Sequence, residues 1–177
     1  KRPIRRSMAN TTPAQLAAEY YPTVSAVIIH GQKVLLRRDE QHYTWLSPST
    51  HIGVDETPLD ALFRLVKLET GLREQNLTVL PVYRDNTALE RDEAEGVTQS
   101  MPFDVDIHRE GRGNHFHVDS SYIFISNTDE LTPEADKPPE LRWFDAEELG
   151  DLALTTKITV SRALYALSYH DKNNPSA

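Results

Sequence analysis

Five side chains able to ligate a metal or carry a proton sit in two short runs of this chain. Asp106 and His108 form the first; His115, His117 and Asp119 form the second. Alternate residues of a strand point to one face. His115, His117 and Asp119 therefore share a side, and Asp106 and His108 share a side of the strand before them. Neutral imidazole is a ligand for zinc, copper or nickel, so the two runs can form a transition-metal site. The same groups can also hydrogen-bond one another across a hairpin. Sequence alone leaves both readings open.

The elements that must hold these residues can be read from local pattern. Thr12-Pro13 opens a short helix with an N-cap and an N1 proline. A β-branched run from Thr23 to Ile29 turns at His30-Gly31-Gln32 and returns as Lys33 to Arg37, which is a hairpin. Trp45-Leu46 is a short extended piece, followed by an irregular stretch to Thr57. Thr57-Pro58 starts a helix that runs to about Thr70 and stops at Gly71. Leu77 to Tyr83 reads as a strand, and 84–98 as a polar loop with an acidic block. Phe103 to Ile107 and His115 to Ile125 make a second hairpin through a turn containing Gly111 and Gly113. Residues 128–140, with three prolines, are a loop. Leu141 to Phe144 is a last strand, Asp145 caps a helical turn, and Thr156 to about Tyr169 is a helix with Val160, Leu164 and Leu167 on one face. Strands and helices interleave without strict βα alternation, so the fold class is α+β, a mixed sheet flanked by helices.

The loop and helix from Thr50 to Leu72 resemble the Nudix box, a loop–helix–loop of glycine, five residues, glutamate, seven residues, then Arg-Glu-aliphatic-x-Glu-Glu-x-Gly-aliphatic. Glu56, Arg64, Val66, Glu69, Gly71 and Leu72 match it. The segments Thr23 to Val27, Lys33 to Leu36, Trp45 to Pro48 and Leu141 to Phe144 are similar to the strands around that box. The resemblance implies a Nudix-type α/β/α sandwich over residues 22–170, between a basic tail with a short helix at 1–21 and a C-terminal tail at 171–177. It also implies hydrolysis of nucleoside diphosphates linked to another moiety, through Mg²⁺ or Mn²⁺ held by box glutamates. Glu69, Glu56 and Arg64 are then the surviving catalytic positions, with Glu56 and Arg64 bracing the loop against the helix. Metal ligands are Glu69 with Asp119 or His117 from a later strand. Arg37, His51 and Trp45 are the candidate ligand-binding residues: cation, phosphate contact and base-stacking ring. His51 can also simply cap its turn, and core burial is the first reading of Trp45, ahead of base stacking.

Three departures from the box fall on its functional positions: Thr50 for the glycine, and Leu65 and Leu68 for two glutamates. At about 100° per residue, positions 65, 68 and 69 lie within about 100° of arc. One face that would carry three carboxylates carries two leucines and Glu69. Leu59, Phe63 and Val66 form a second apolar face, read as the one packed on the sheet. Mg²⁺ can sit on a single carboxylate when substrate phosphates and water complete its shell, so weak metal binding and impaired hydrolysis are expected. The alternative is a non-catalytic Nudix-fold module that binds a nucleotide-like ligand or a protein partner. Leu65 and Leu68 are expected to be covered by the chain itself.

Composition narrows the partners. The 177 residues hold no cysteine, which removes disulfides and thiolate chemistry. Four of nineteen basic residues lie within the first six positions, leaving fifteen against 27 acids elsewhere. So acidic a body repels nucleic-acid phosphates, and no nucleic acid is expected as partner. No apolar run is long enough for a membrane helix, and no signal-peptide stretch opens the sequence. A nucleotide-like small molecule, a cytoplasmic location and a possible homodimer complete the expectation.

Overall fold

The computed structural model describes residues 20–41, 43–80, 100–109, 115–152 and 157–173. The expected N-terminal helix, the acidic block and the glycine-rich turn lie outside the described residues. The elements run β1 (Tyr20–His30), β2 (Lys33–Asp39), β3 (Thr44–Leu46), β4 (Ser49–His51), α1 (Pro58–Thr70), a 3₁₀ turn (Glu74–Asn76), β5 (Leu77–Val79), β6 (Asp104–Arg109), β7 (Phe116–Ser126), β8 (Leu141–Phe144), α2 (Ala146–Gly150) and α3 (Lys157–Asn173). The main sheet path is β3-β2-β1-β7-β5, while β4 pairs with β1, β6 with β7 and β8 with β2. β1 and β7 run parallel and every other pair is antiparallel, so the sheet is mixed.

Strand alternation divides the core in two. Val24, Ala26 and Ile28 of β1, with Tyr122 and Phe124 of β7, pack against Ala61, Leu62 and Val66 of α1. Val27 and Ile29, with Ile123, face the other way and meet Leu149 of α2 and Ala163, Ala166 and Leu167 of α3. Helices therefore cover both faces. The β1–β2 turn passes through Gly31 at φ +56°, a left-handed conformation that a side chain disfavours.

Helix α1 begins with a capping box: Thr57 Oγ1 accepts from the Asp60 N–H, and the Asp60 carboxylate accepts from the Thr57 N–H. It stops at Gly71, φ +80°, whose N–H donates to the Lys67 carbonyl. A Cβ there would lie 2.1 Å from the Thr132 carbonyl oxygen, so glycine is demanded by space as well as by φ. The loop after β7 crosses the helix end at this point. The Thr132 N–H donates to the Thr70 carbonyl, and those of Glu134 and Ala135 to the Leu68 carbonyl.

Several local expectations need correction. Leu62 and Val66 are the centre of the packed face of α1, and Leu59 and Phe63 are only partly buried at its margins. Leu65 is covered, but Leu68 remains 44% exposed, because the crossing loop binds its carbonyl rather than its side chain. The stretch before Thr57 is not wholly irregular, since Ser49–His51 pairs with β1. On α3, Ala163 and Ala166 replace Leu164 in the buried stripe, and Leu164 is exposed. Among the described residues no helix is long and apolar enough to cross a membrane.

Candidate functional site

On the α1 side, the loop and helix are locked together by one carboxylate. Glu56 accepts from the Gly53 N–H at 3.0 Å and from Arg64 Nε and Nη2 at 2.5 and 2.8 Å. The Arg64 fork is the main reason that the Glu56 carboxyl is held down at about 2, with the Gly53 N–H adding to it. Both side chains are spent on this brace.

Glu69, one turn further on, is mostly buried and lies 3.8 Å from Arg37 Nη1. Burial pushes its carboxyl up, and the Arg37 charge pulls it back only in part. Glu69 Oε2 and Arg37 Nε are both buried without a hydrogen-bond partner. An orphaned carboxylate oxygen is what a metal ligand would leave, and Mg²⁺ or Mn²⁺ are the ions expected at the box. These ions want several oxygen donors. Leu65 is buried beside Glu69, Leu68 offers none, and the one carboxylate already faces a guanidinium. The residues do not fit a resident Mg²⁺ or Mn²⁺.

The other face of the sheet is polar at one end. Register aligns side chains across four strands: Ser49, Ser25, Ser121 and Asp104 in one row, then His51, Thr23, Asp119 and Asp106, then Tyr21, His117 and His108. Paired residues point to the same side. This is the side that carries Val27, Ile29 and Ile123 further along, so one sheet face changes from apolar to polar along its length. A cleft of about 780 Å³ opens over the polar end, and Arg37, Leu46, Asp39, Arg109, Lys157 and Ile158 contribute to its wall.

Asp119 anchors the cleft floor. It is 3% exposed and accepts from Thr23 Oγ1 at 3.1 Å, Ser25 Oγ at 2.5 Å, Ser121 Oγ at 3.4 Å and Arg162 Nη1 at 3.0 Å. Arg162 reaches down from α3 and also binds Asp104 through Nε at 2.7 Å and Asp106 through Nη2. Burial opposes the charge on Arg162, but the Asp104 hydrogen bond and the Asp106 and Asp119 charges outweigh it and raise its pKa. Asp119, expected as a metal ligand, has its oxygens engaged by these four donors.

The histidines cluster beside this clamp. His115 Nε2 and His117 Nε2 face each other at 3.0 Å. The His51 ring meets that of His117 edge-on at 4.8 Å, and His115 stacks on Tyr21 at 4.1 Å. His108 Nδ1 lies 2.9 Å from Asp106 Oδ2. Among the described residues, His51, His115 and His117 are the one group of three or more His, Cys, Asp or Glu whose ligand atoms converge, all within 4.8 Å of one another. Glu69, expected as a ligand with His117 or Asp119, is not a member of this group.

Trp45 takes the core position that is its first reading and does not stack a ligand base. Period-two alternation in β3 sends Leu46 to the cleft and Trp45 to the core, where its ring meets Phe144 at 4.9 Å and Arg38 covers it. Arg37 and His51 do line the cleft. Sequence reasoning missed Arg162 altogether. The available signal was an arginine next to Ala163 on the buried stripe of a helix, a position that needs buried acids to meet it.

Comparison with known proteins follows from this geometry. The profile described as "NUDIX domain" matches residues 19–167. A solved NUDIX-family hydrolase from Clostridium perfringens is 25% identical, with a TM-score of 0.70 over 85% of this chain and 97% of that one. The Ap4A hydrolase of C. elegans shares the fold at 14% identity and a TM-score of 0.58, covering 83% and 97% of the two chains. An RNA pyrophosphohydrolase of Blochmanniella pennsylvanica (strain BPEN) is 37% identical over 51 residues, 29% of this chain and about a third (32%) of that protein's length.

Proposed function

The chain belongs to the NUDIX domain family, and on that premise we propose that it binds a nucleoside diphosphate linked to another group while its metal-dependent hydrolysis is impaired. The observation that carries this reading is the state of α1. Its box face offers Glu69 alone, mostly buried and facing Arg37, where the box pattern has three carboxylates. Loss of a general base typically costs about 10²–10⁴ in rate, and loss of metal charge at the phosphoanhydride costs more. Any Mg²⁺ bound here arrives with the phosphates of the ligand rather than ahead of them.

Binding survives because it rests on other residues. The cleft has the volume of an ordinary small-molecule site. Arg37, Arg109 and Lys157 supply cations for phosphates, and His51 stands beside them. Leu46 and Ile158 give a sugar or base an apolar wall. Two of the similar proteins are named an Ap4A hydrolase and an RNA pyrophosphohydrolase, which supports a ligand with linked phosphates.

Calorimetric titration with ADP-ribose in the presence of chelator tests the binding. The expected result is a saturable 1:1 isotherm that Arg37→Ala weakens about tenfold, the worth of one charge-assisted hydrogen bond. No isotherm, or one that Arg37→Ala leaves untouched, contradicts it.

A further inference from the structure

The donor set on the polar face differs in kind from the one on α1. It holds three imidazoles and no free carboxylate, a combination that suits Zn²⁺, Cu²⁺ or Ni²⁺ and not Mg²⁺. We propose that His51, His115 and His117 form a binding site for a divalent transition-metal ion, Zn²⁺ foremost, with a fourth coordination position open toward the cleft. This site is independent of the box helix and of the hydrolysis reading.

The geometry is near that of a bound ion. Zn–N bonds of about 2.0–2.1 Å in a tetrahedral shell place neighbouring nitrogens about 3.4 Å apart. His115 and His117 present Nε2 to Nε2 at 3.0 Å, and all three ligand atoms fall within 4.8 Å. Closing the triangle takes a rotation of His51, which is exposed. Two nitrogens aimed at each other can share a single proton, whereas a cation between them would satisfy both lone pairs.

The surroundings hold His115 and His117 beside each other. His115 lies flat on Tyr21, and His117 is 8% exposed near the start of β7. Register fixes His51 in the row next to His117, because both pair with β1. His108, paired with Asp106, stands with its ring 5.4 Å from that of His117. The acid that sequence pattern put among the ligands, Asp119, is instead the anchor of the floor. His51 takes its place from a strand more than sixty residues earlier. Three protein nitrogens plus one open position is the arrangement of a site that can accept an anion or water, and His51 and His117 both line the cleft.

The test uses the full chain, purified without a polyhistidine tag and stripped of metal. Titration with Zn²⁺ followed calorimetrically, and with Co²⁺ followed by visible absorption, should give one ion per chain and the intense bands of a four-coordinate Co²⁺ centre. His51→Ala and His115→Ala, both outside the core, should each weaken Zn²⁺ binding at least tenfold with unchanged circular dichroism. His30→Gln, at the far end of β1, should leave it unaltered, and millimolar Mg²⁺ should not displace Zn²⁺. Absence of saturable 1:1 binding by the folded protein overturns the proposal. So does an affinity that neither alanine variant changes.

Discussion

The two faces of one sheet treat charge in opposite ways. Beneath α1 the even-numbered residues of β1 and β7 meet Leu62 and Val66, and the one acid left at the helix end is buried with an incomplete partner. Beneath α3 the odd-numbered residues of the same strands deliver Asp119 into four hydrogen bonds, and His117 of β7 meets His115 just before that strand and His51 from β4. Charge buried with full partners is a rigid platform, while charge buried without them is a liability. The difference teaches that presence of a motif glutamate says little until its partners are known. The polar chemistry of this molecule has its intact scaffold on the face away from the box helix.

The strongest way to break this contrast is to remove the clamp. Arg162→Ala leaves three acids facing one another, with Asp119 in the interior. Breaking a buried ion pair from one side costs about 3–5 kcal/mol, and urea unfolding should show a loss of about 3 kcal/mol or more. Arg64→Ala, on the exposed brace of α1, should cost far less. If the two losses are equal, the contrast between the faces fails.

Next in size is the apolar half of α1. Leu62→Ala opens a cavity under the sheet and should cost about 2–5 kcal/mol. Leu68→Ala, half exposed, should stay within about 0.5 kcal/mol, and thermal or urea unfolding of both variants checks the pair. Rebuilding the box face sharpens the point. Leu65→Glu with Leu68→Glu sets three carboxylates near one another and should lower the melting temperature without metal. Added Mn²⁺ should then restore it by binding only the folded state, and should leave the parent protein unmoved. A parent protein that Mn²⁺ stabilises equally would show that Glu69 already holds the ion.

The smallest expected effect lies in the pH dependence of the brace. The Glu56 carboxyl is held at about 2 in the folded protein against an ordinary 4.5. A depressed acid contributes stability that is full above about pH 4.5 and is lost as pH falls through about 2. Glu56→Gln should therefore be the less stable protein at pH 6, and the gap should close on acidification. Glu69 has the opposite sign. Its carboxyl is raised by burial, so Glu69→Gln should not lower the melting temperature at pH 7.

Much of the fold was legible because its signals are local. The Gly31 turn, the Thr57 cap and the Gly71 stop each depend on a few adjacent residues, and the structure keeps all three. The hairpin of β6 and β7 is likewise legible from alternation on either side of a turn. What escaped depends on long-range pairing. β4 is three residues long with no apolar alternation, so nothing in the sequence places His51 in register with Thr23 and, through β1, beside His117. Arg162 meets acids more than forty residues away. Trp45 and Leu46 are adjacent, and only the facing of β3 decides which of them sees the cleft. Leu65 and Leu68 parted company for a similar reason, since the loop that crosses α1 binds the helix backbone and leaves one side chain bare.

Turnover bears most directly on the central proposal, that metal-dependent hydrolysis at the box helix is impaired. Hydrolysis of ADP-ribose and of Ap4A should be followed with Mg²⁺ and with Mn²⁺, with and without chelator, on the parent protein and on Glu69→Gln. The account predicts residual rates in the parent that neither chelator nor Glu69→Gln reduces further. Robust, chelator-sensitive hydrolysis that Glu69→Gln abolishes would contradict it.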